Sequence, residues 1–141
     1  MISFDDIKKA QETIKDYIHR TPLVYSNSIS RITGLEVYIK LENLQKTGSF
    51  KIRGATNKIS RLSEAERRSG VVTASAGNHA QGVALAAGRL GIKATVVMPE
   101  KASISKQLAT KGYGAEVILH GNSFDEALEY ARRIERDRNC T

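Results

Sequence analysis

A lysine beside an aromatic residue is the first feature of the sequence that could carry chemistry. Lys51 lies within residues 46–55, which read KTGSFKIRGA. Gly48 permits a tight turn, and Ser49 could cap a helix whose apolar residues follow at helical spacing. Lys51 would then occupy the first helical turn, where the helix dipole disfavours a cation and favours an amine that forms imines with carbonyls. The alternative is a solvated surface lysine on an amphipathic helix.

A run of small and polar residues is the second candidate. Residues 73–82 read TASAGNHAQG, between an apolar strand segment and a helical segment. The Ser75 hydroxyl, the Asn78 amide, the His79 imidazole and free backbone N–H groups would share one helix N-terminus, which suits a carboxylate or a phosphate. The spacing matches neither a dinucleotide fingerprint nor a P-loop. The alternative is an ordinary loop in which Ser75 or Asn78 caps the helix.

The elements that must position these two segments alternate regularly in the second half of the chain. The pattern predicts strands at 71–74, 94–98 and 116–119 and helices at 79–90, 103–112 and 124–138. Short apolar strands that alternate with longer helices predict an α/β fold, in which a twisted parallel sheet has flanking helices. The carboxyl ends of such strands are where ligands bind, and the loop at residues 75–79 lies at one of them.

The first half of the chain has a weaker pattern. Ser3 and Asp6 resemble a helix-starting cap, apolar residues follow at helical spacing, and Pro22 is expected to end that helix. Residues 37–41 predict a short strand, which we count as a fourth strand beside those of the second half. A polar loop is expected at residues 42–48.

Composition narrows the function classes. Hydrophobic residues make up 40% and charged residues 26% of 141 residues, as in globular proteins. The net charge of +7 comes from basic residues interleaved with acids, which is typical of solvated helix faces, so we expect no nucleic-acid partner. No apolar stretch could span a membrane, and no signal peptide is evident, so a cytoplasmic protein is expected. A single cysteine, Cys140, and no ligand-spaced cluster indicate no metal site.

The two segments together resemble a known enzyme family. Residues 49–55 (SFKIRGA) and 75–82 (SAGNHAQG) are similar, in order and spacing, to two motifs of the threonine dehydratase and serine racemase family. These enzymes use pyridoxal 5'-phosphate (PLP). The resemblance implies the fold type II of PLP enzymes, similar to the β-subunit of tryptophan synthase. It also implies a small amino acid as substrate and a homo-oligomeric assembly.

The resemblance implies a role for each matching residue. Lys51 matches the lysine that carries the cofactor as a Schiff base and removes the α-proton of the substrate. Phe50 matches the aromatic residue beside the cofactor ring, and Asn78 matches the amide that hydrogen-bonds the cofactor's phenolic oxygen. The implied substrate-carboxylate loop comprises Ser75, Ala76, Gly77, Asn78 and His79. The implied reaction is dehydration and deamination of L-threonine or L-serine to a 2-oxo acid and ammonia.

Two departures from the family pattern matter. Members that racemise serine have a second serine where this chain has Ala76, which favours a dehydratase over a racemase because a methyl group exchanges no proton. The family's glycine-rich phosphate loop is missing from these residues, so the resemblance implies a truncated chain that is inactive alone. Residues 1–50 would belong to a large PLP domain and residues 51–141 to a small α/β domain. The alternative function is a non-catalytic anion-binding module derived from that family.

Overall fold

Two short helices and a two-stranded ribbon form the first fifty residues. The computed structural model describes all residues from 1 to 141. In chain order these elements are α1 (Phe4–Ile14), β1 (Leu23–Tyr25), α2 (Asn27–Thr33) and β2 (Tyr38–Lys40). Helix α1 begins at the predicted cap, where the side chains of Ser3 and Asp6 each accept the other residue's backbone N–H. Strands β1 and β2 pair antiparallel.

Two predictions for this region are wrong. Helix α1 ends at Ile14, well before Pro22. A turn follows, and the carbonyl of Tyr17 within it accepts hydrogen bonds from the side chains of Lys46 and Arg89, at 2.9 and 3.0 Å. The strand predicted at residues 37–41 exists as β2, but it pairs with β1 rather than joining the parallel sheet as a fourth strand.

Five helices and three strands form the rest of the chain. They are α3 (Lys51–Ile59), α4 (Glu64–Ser69), β3 (Val71–Ala74), α5 (Asn78–Arg89), β4 (Ala94–Met98), α6 (Ile104–Gly112), β5 (Glu116–Leu119) and α7 (Phe124–Arg138). From β3 onward, strands and helices alternate regularly. Between β2 and α3, the predicted polar loop makes two 3₁₀ turns, at Glu42–Leu44 and Lys46–Gly48. The helices and strands predicted from residue 71 onward agree with the structure to within about one residue.

The sheet is parallel, in the order β3-β4-β5. Central strand β4 is buried along its whole length, which suits its run of β-branched and apolar residues. The largest cluster of buried side chains lies between the sheet and helices α3 and α5, and a second cluster lies under α7 on the other face. The α/β prediction is therefore confirmed, with helices on both faces of the sheet.

Strand β3 is less buried than its sequence predicts. Val71 is buried, but the other three residues of the strand are only half-buried, because β3 lies at an edge of the sheet. Thr141 lies along that edge, where its N–H donates to Gly70 and its carbonyl accepts from Val72, at 3.1 and 2.8 Å. These two bonds have the pattern of a parallel strand pair.

Candidate active site

Lys51 is the first residue of α3, and its side chain is exposed. Its amine makes no hydrogen bond and no ion pair, and Nζ lies 5.3 Å from the centroid of the Phe50 ring. The Phe50 side chain is 58% exposed, so the ring stands beside the amine as an open apolar wall. A free, accessible amine beside an aromatic ring can react with the carbonyl of a flat ligand.

The start of α3 differs from the prediction in one detail. Ser49 does not cap the helix, because Phe50 occupies the N-cap position and no side chain caps there. The Ser49 hydroxyl instead accepts a weak hydrogen bond from the Lys51 N–H, at 3.4 Å. Gly48 adopts a positive φ of 66°, as predicted, and Thr47 before it also has a positive φ, of 67°. This turn directs the chain into the helix that carries Lys51.

The loop between β3 and α5 has the predicted placement at the carboxyl edge of the sheet. Gly77 is the N-cap of α5, and the Ser75 hydroxyl oxygen accepts from the N–H groups of Gly77 and Ala80, at 3.3 and 3.2 Å. Ser75 therefore does stabilise the helix start, as the structural alternative proposed. Its hydroxyl hydrogen remains free to donate to a ligand, and the first N–H groups of α5 lack intrahelical acceptors.

Asn78 is held by a residue that sequence reasoning missed. Its Oδ1 atom accepts a hydrogen bond from Nζ of Lys106 on α6, at 2.9 Å. An ammonium group only donates, so the amide oxygen must face Lys106 and the Asn78 NH₂ group faces away. That NH₂ group has no protein acceptor and can donate to a ligand. No sequence pattern links residues 28 positions apart on two helices.

His79 follows Asn78, and its pKa is affected by the nearby Lys51. Partial burial of its ring, and secondly the positive charge of Lys51, lower the pKa of His79 below its usual value. This shift favours the neutral imidazole, in which one ring nitrogen donates and the other accepts.

Direct contact between α3 and α5 fixes the position of Lys51 relative to the loop. These two helices make the most extensive helix–helix contact of the chain. A Cβ at Gly82 would lie 3.0 Å from the carbonyl carbon of Lys51 and 3.2 Å from its Cβ. Only glycine therefore allows α5 to approach the backbone of Lys51 this closely. The sequence contains Gly82 within the second segment, but its spacing alone assigned it no role.

An ion pair anchors the other side of α3. Arg53 donates two hydrogen bonds to the Glu42 carboxylate, at 2.8 and 2.7 Å, and Glu42 also accepts one from Thr21. These bonds, with the nearby Lys40 cation, lower the pKa of Glu42 to about 2. The first helical turn of α3 is thus tied to the preceding loop, which restrains Lys51 from that side as well.

Comparisons with known proteins identify the family. The family described as "Pyridoxal-phosphate dependent enzyme" matches residues 14–141. The chain belongs to this family. An L-threonine ammonia-lyase of Thermotoga maritima is 64% identical over 135 residues, which cover 96% of this chain and 34% of that protein. A catabolic L-threonine dehydratase of Staphylococcus aureus is 54% identical over all of this chain and 41% of its own length.

Solved structures agree with the fold. The structure of maize serine racemase superposes with a TM-score of 0.91 at 40% identity, and covers 99% of this chain and 42% of its own. The predicted family and the fold of type II PLP enzymes are confirmed. The chain spans about a third to two fifths of the length of the curated relatives it matches.

The residues present fit the aldehyde and ring of PLP, the cofactor of the family. Lys51 offers a free amine, Phe50 offers an apolar wall, and Asn78 offers an NH₂ donor whose direction Lys106 sets.

No site in the chain gathers three or more His, Cys, Asp or Glu side chains as metal ligands would, and no helix is both long and apolar enough to cross a membrane.

Proposed function

We propose that this chain contributes the lysine and the substrate-carboxylate loop of a PLP-dependent ammonia-lyase that acts on L-threonine or L-serine. The observation that carries the proposal is the packing of Lys51 against the helix of the anion-binding loop, with its amine exposed and unpaired. The relatives named as threonine ammonia-lyase and threonine dehydratase support this reaction class. They give no support to the alternative of a non-catalytic anion-binding module.

The chemistry divides between the cofactor and the residues of the chain. When bound, PLP supplies an electron sink for the negative charge that develops at the substrate Cα. Lys51 would hold the cofactor, and its amine, when free, would accept the proton from Cα at its Nζ atom. The β-hydroxyl group would leave with a proton as water, and hydrolysis of the C–N bond would then give a 2-oxo acid and ammonia.

The loop residues orient the substrate for that proton transfer. The first N–H groups of α5 and the free hydroxyl hydrogen of Ser75 would donate to the substrate carboxylate. A fixed carboxylate keeps the Cα–H bond aimed at Lys51, because reaction requires the atoms to be aligned. Gly77 and His79 complete the loop, and the lowered pKa of His79 disfavours a second positive charge beside Lys51.

Ala76 favours elimination over racemisation. Racemisation needs a proton donor on the face of Cα opposite Lys51, and the methyl group of Ala76 holds no exchangeable proton. Maize serine racemase shares the fold of this chain, but fold likeness alone does not decide between two reactions at one site.

The distribution of exposed apolar side chains supports a division into two domains. Fourteen of the eighteen exposed large hydrophobic residues lie in the first fifty residues, and the main core begins at Ile52. Residues 1–50 therefore bury little of their own apolar surface, as expected for part of a large domain. Residues 51–141 hold both core clusters and form the proposed small domain.

We also propose a cytoplasmic homo-oligomer. Sedimentation of the full-length protein would test the oligomeric state.

Substitution of the lysine tests the proposed reaction. In a full-length protein that contains this chain, Lys51→Ala should abolish 2-oxobutyrate formation from L-threonine and pyruvate formation from L-serine. The control is Lys58→Ala, since Lys58 is an exposed lysine two turns further along α3. Lys58→Ala should keep nearly all the activity. Turnover that survives Lys51→Ala would contradict the proposal.

A further inference from the structure

Lys106 on α6 has one polar side-chain contact, and that contact is to the ligand-binding loop. Its ammonium donates to Oδ1 of Asn78 at 2.9 Å, and it forms no ion pair with any carboxylate. Lys106 lies in the first turn of α6, where its N–H donates to Ser103 and its carbonyl accepts from Thr110. The base of the side chain is therefore fixed, and its half-buried stem extends to Asn78.

A primary amide has two ends of opposite hydrogen-bonding character and nearly equal shape. Rotation about the last side-chain bond of Asn78 would exchange its oxygen and its NH₂ group. Asn78 is the first residue of α5 and is exposed, so packing does not select one orientation. The Lys106 ammonium does select one, because it can pair only with the oxygen.

We propose that Lys106 is a positioning residue that holds the Asn78 amide with its NH₂ group toward the cofactor. This inference rests on the proposed function, in which Asn78 donates to the phenolic oxygen of PLP. The oriented NH₂ group favours an oxygen that carries negative charge. The cation of Lys106 strengthens that preference, because it polarises the amide through Oδ1.

Three variants at two positions of α6 test the inference. Lys106→Met removes the donor and keeps most of the apolar stem, whereas Lys106→Arg keeps a donor. Lys111→Met is the matched control, because Lys111 is an exposed lysine of the same helix without a side-chain partner. Thermal unfolding midpoints of the two methionine variants should agree, which separates an effect on the site from an effect on folding.

The first measurement needs no cofactor. In the 141-residue chain labelled with ¹⁵N-asparagine, the side-chain NH₂ signals of Asn78 should shift in Lys106→Met and remain in place in Lys111→Met. Asn78→Asp assigns those signals by removing them. If the Asn78 signals do not shift in Lys106→Met, the two side chains are not hydrogen-bonded. That result would overturn the inference whether or not the chain belongs to an ammonia-lyase.

The second measurement concerns the cofactor. In the full-length apoprotein titrated with PLP, Lys106→Met should weaken binding about three- to tenfold and shift the visible absorption band, as expected when one oriented polar contact is lost. Lys106→Arg should restore both properties. An affinity and a spectrum equal to those of Lys111→Met would overturn the positioning role. Failure of the unsubstituted protein to bind PLP at Lys51 would instead contradict the proposed function.

Discussion

Gly82→Ala should disturb the site through the backbone of Lys51. The added Cβ would lie 3.0 Å from the Lys51 carbonyl carbon and 3.2 Å from the Ile52 nitrogen. Backbone atoms cannot rotate away as a side-chain end can, so α3 and α5 must separate by a few tenths of an ångström. The lysine would then move away from the loop that we propose holds the substrate carboxylate.

The expected magnitude follows from two opposing effects. Alanine is favoured over glycine inside a helix by about 0.5–1 kcal/mol. Overpacking a filled interface costs about 1–3 kcal/mol. Gly54→Ala is the matched control, since Gly54 lies on α3 and a Cβ there would meet nothing within 4 Å. Gly54→Ala gains only the preference of a helix for alanine over glycine, without the overpacking. The two variants should therefore differ in unfolding free energy by about 1–3 kcal/mol.

Urea unfolding of both alanine variants measures that difference. Activity of the full-length protein gives the second readout, because a displacement of 1 Å can cost about 10²-fold in rate. A shift of a few tenths of an ångström should therefore lower kcat/KM about three- to tenfold in Gly82→Ala only. If Gly82→Ala matched Gly54→Ala in both stability and activity, the close approach of the two helices would not position Lys51.

Further predictions concern the anchor, the loop and the isolated chain. The pKa of Glu42 is about 2 in the folded chain against 4.5 ordinarily, so its stabilisation is complete above pH 4.5 and fades as the pH falls toward 2. That shift corresponds to about 3 kcal/mol, which solvent screening reduces to about 1–2 kcal/mol. Glu42→Gln should therefore make the free energy of urea unfolding less dependent on pH between pH 5 and 2. Asn78→Ala should weaken PLP binding by about 1–3 kcal/mol in a full-length apoprotein titration and leave the melting temperature nearly unchanged; a large loss of stability with unchanged binding would make Asn78 a structural residue. Ala76→Ser should add D-serine formation to an active enzyme that contains this chain, which chiral chromatography of recovered serine would detect. The 141-residue chain with added PLP should show no turnover above that of its Lys51→Ala variant, because its residues offer no cradle for the cofactor phosphate. A lysine-dependent rate near 1 s⁻¹ would refute this prediction.

The sequence predicted well those parts of the fold whose pattern is local. Strand β4 is a run of five apolar and β-branched residues, and α7 begins at Phe124 after the cap Ser123, with acids in its first turn, so both matched their predicted bounds. Strand β1 and helix α2 were missed because, with three and seven residues, they are too short for an apolar pattern to stand out. Helix α4 has six residues and was missed too, although Ser63 and Glu66 form a capping box at its start.

The errors near the site have a tertiary cause. Pro22 disfavours continuation of a helix past it, but α1 ends earlier, and long-range contacts from Lys46 and Arg89 to the Tyr17 carbonyl hold the turn that follows. The contacts of Gly82 with Lys51 and of Lys106 with Asn78 are equally invisible to any local rule. Residue type and motif therefore supplied the candidate site residues, which stay a prediction, whereas the packing of helices decides how those side chains are held.

The contact at Gly82 also explains why two separate segments can act as one unit. Lys51 and the loop at residues 75–79 lie on different elements, and the backbones of those elements touch without an intervening side chain. Such a junction has few alternative arrangements, because no rotamer can change within it. Glu42 and Arg53 restrain the opposite side of α3. Movement of α5 would therefore carry Lys51 and the loop at residues 75–79 together, so that their relative position is kept.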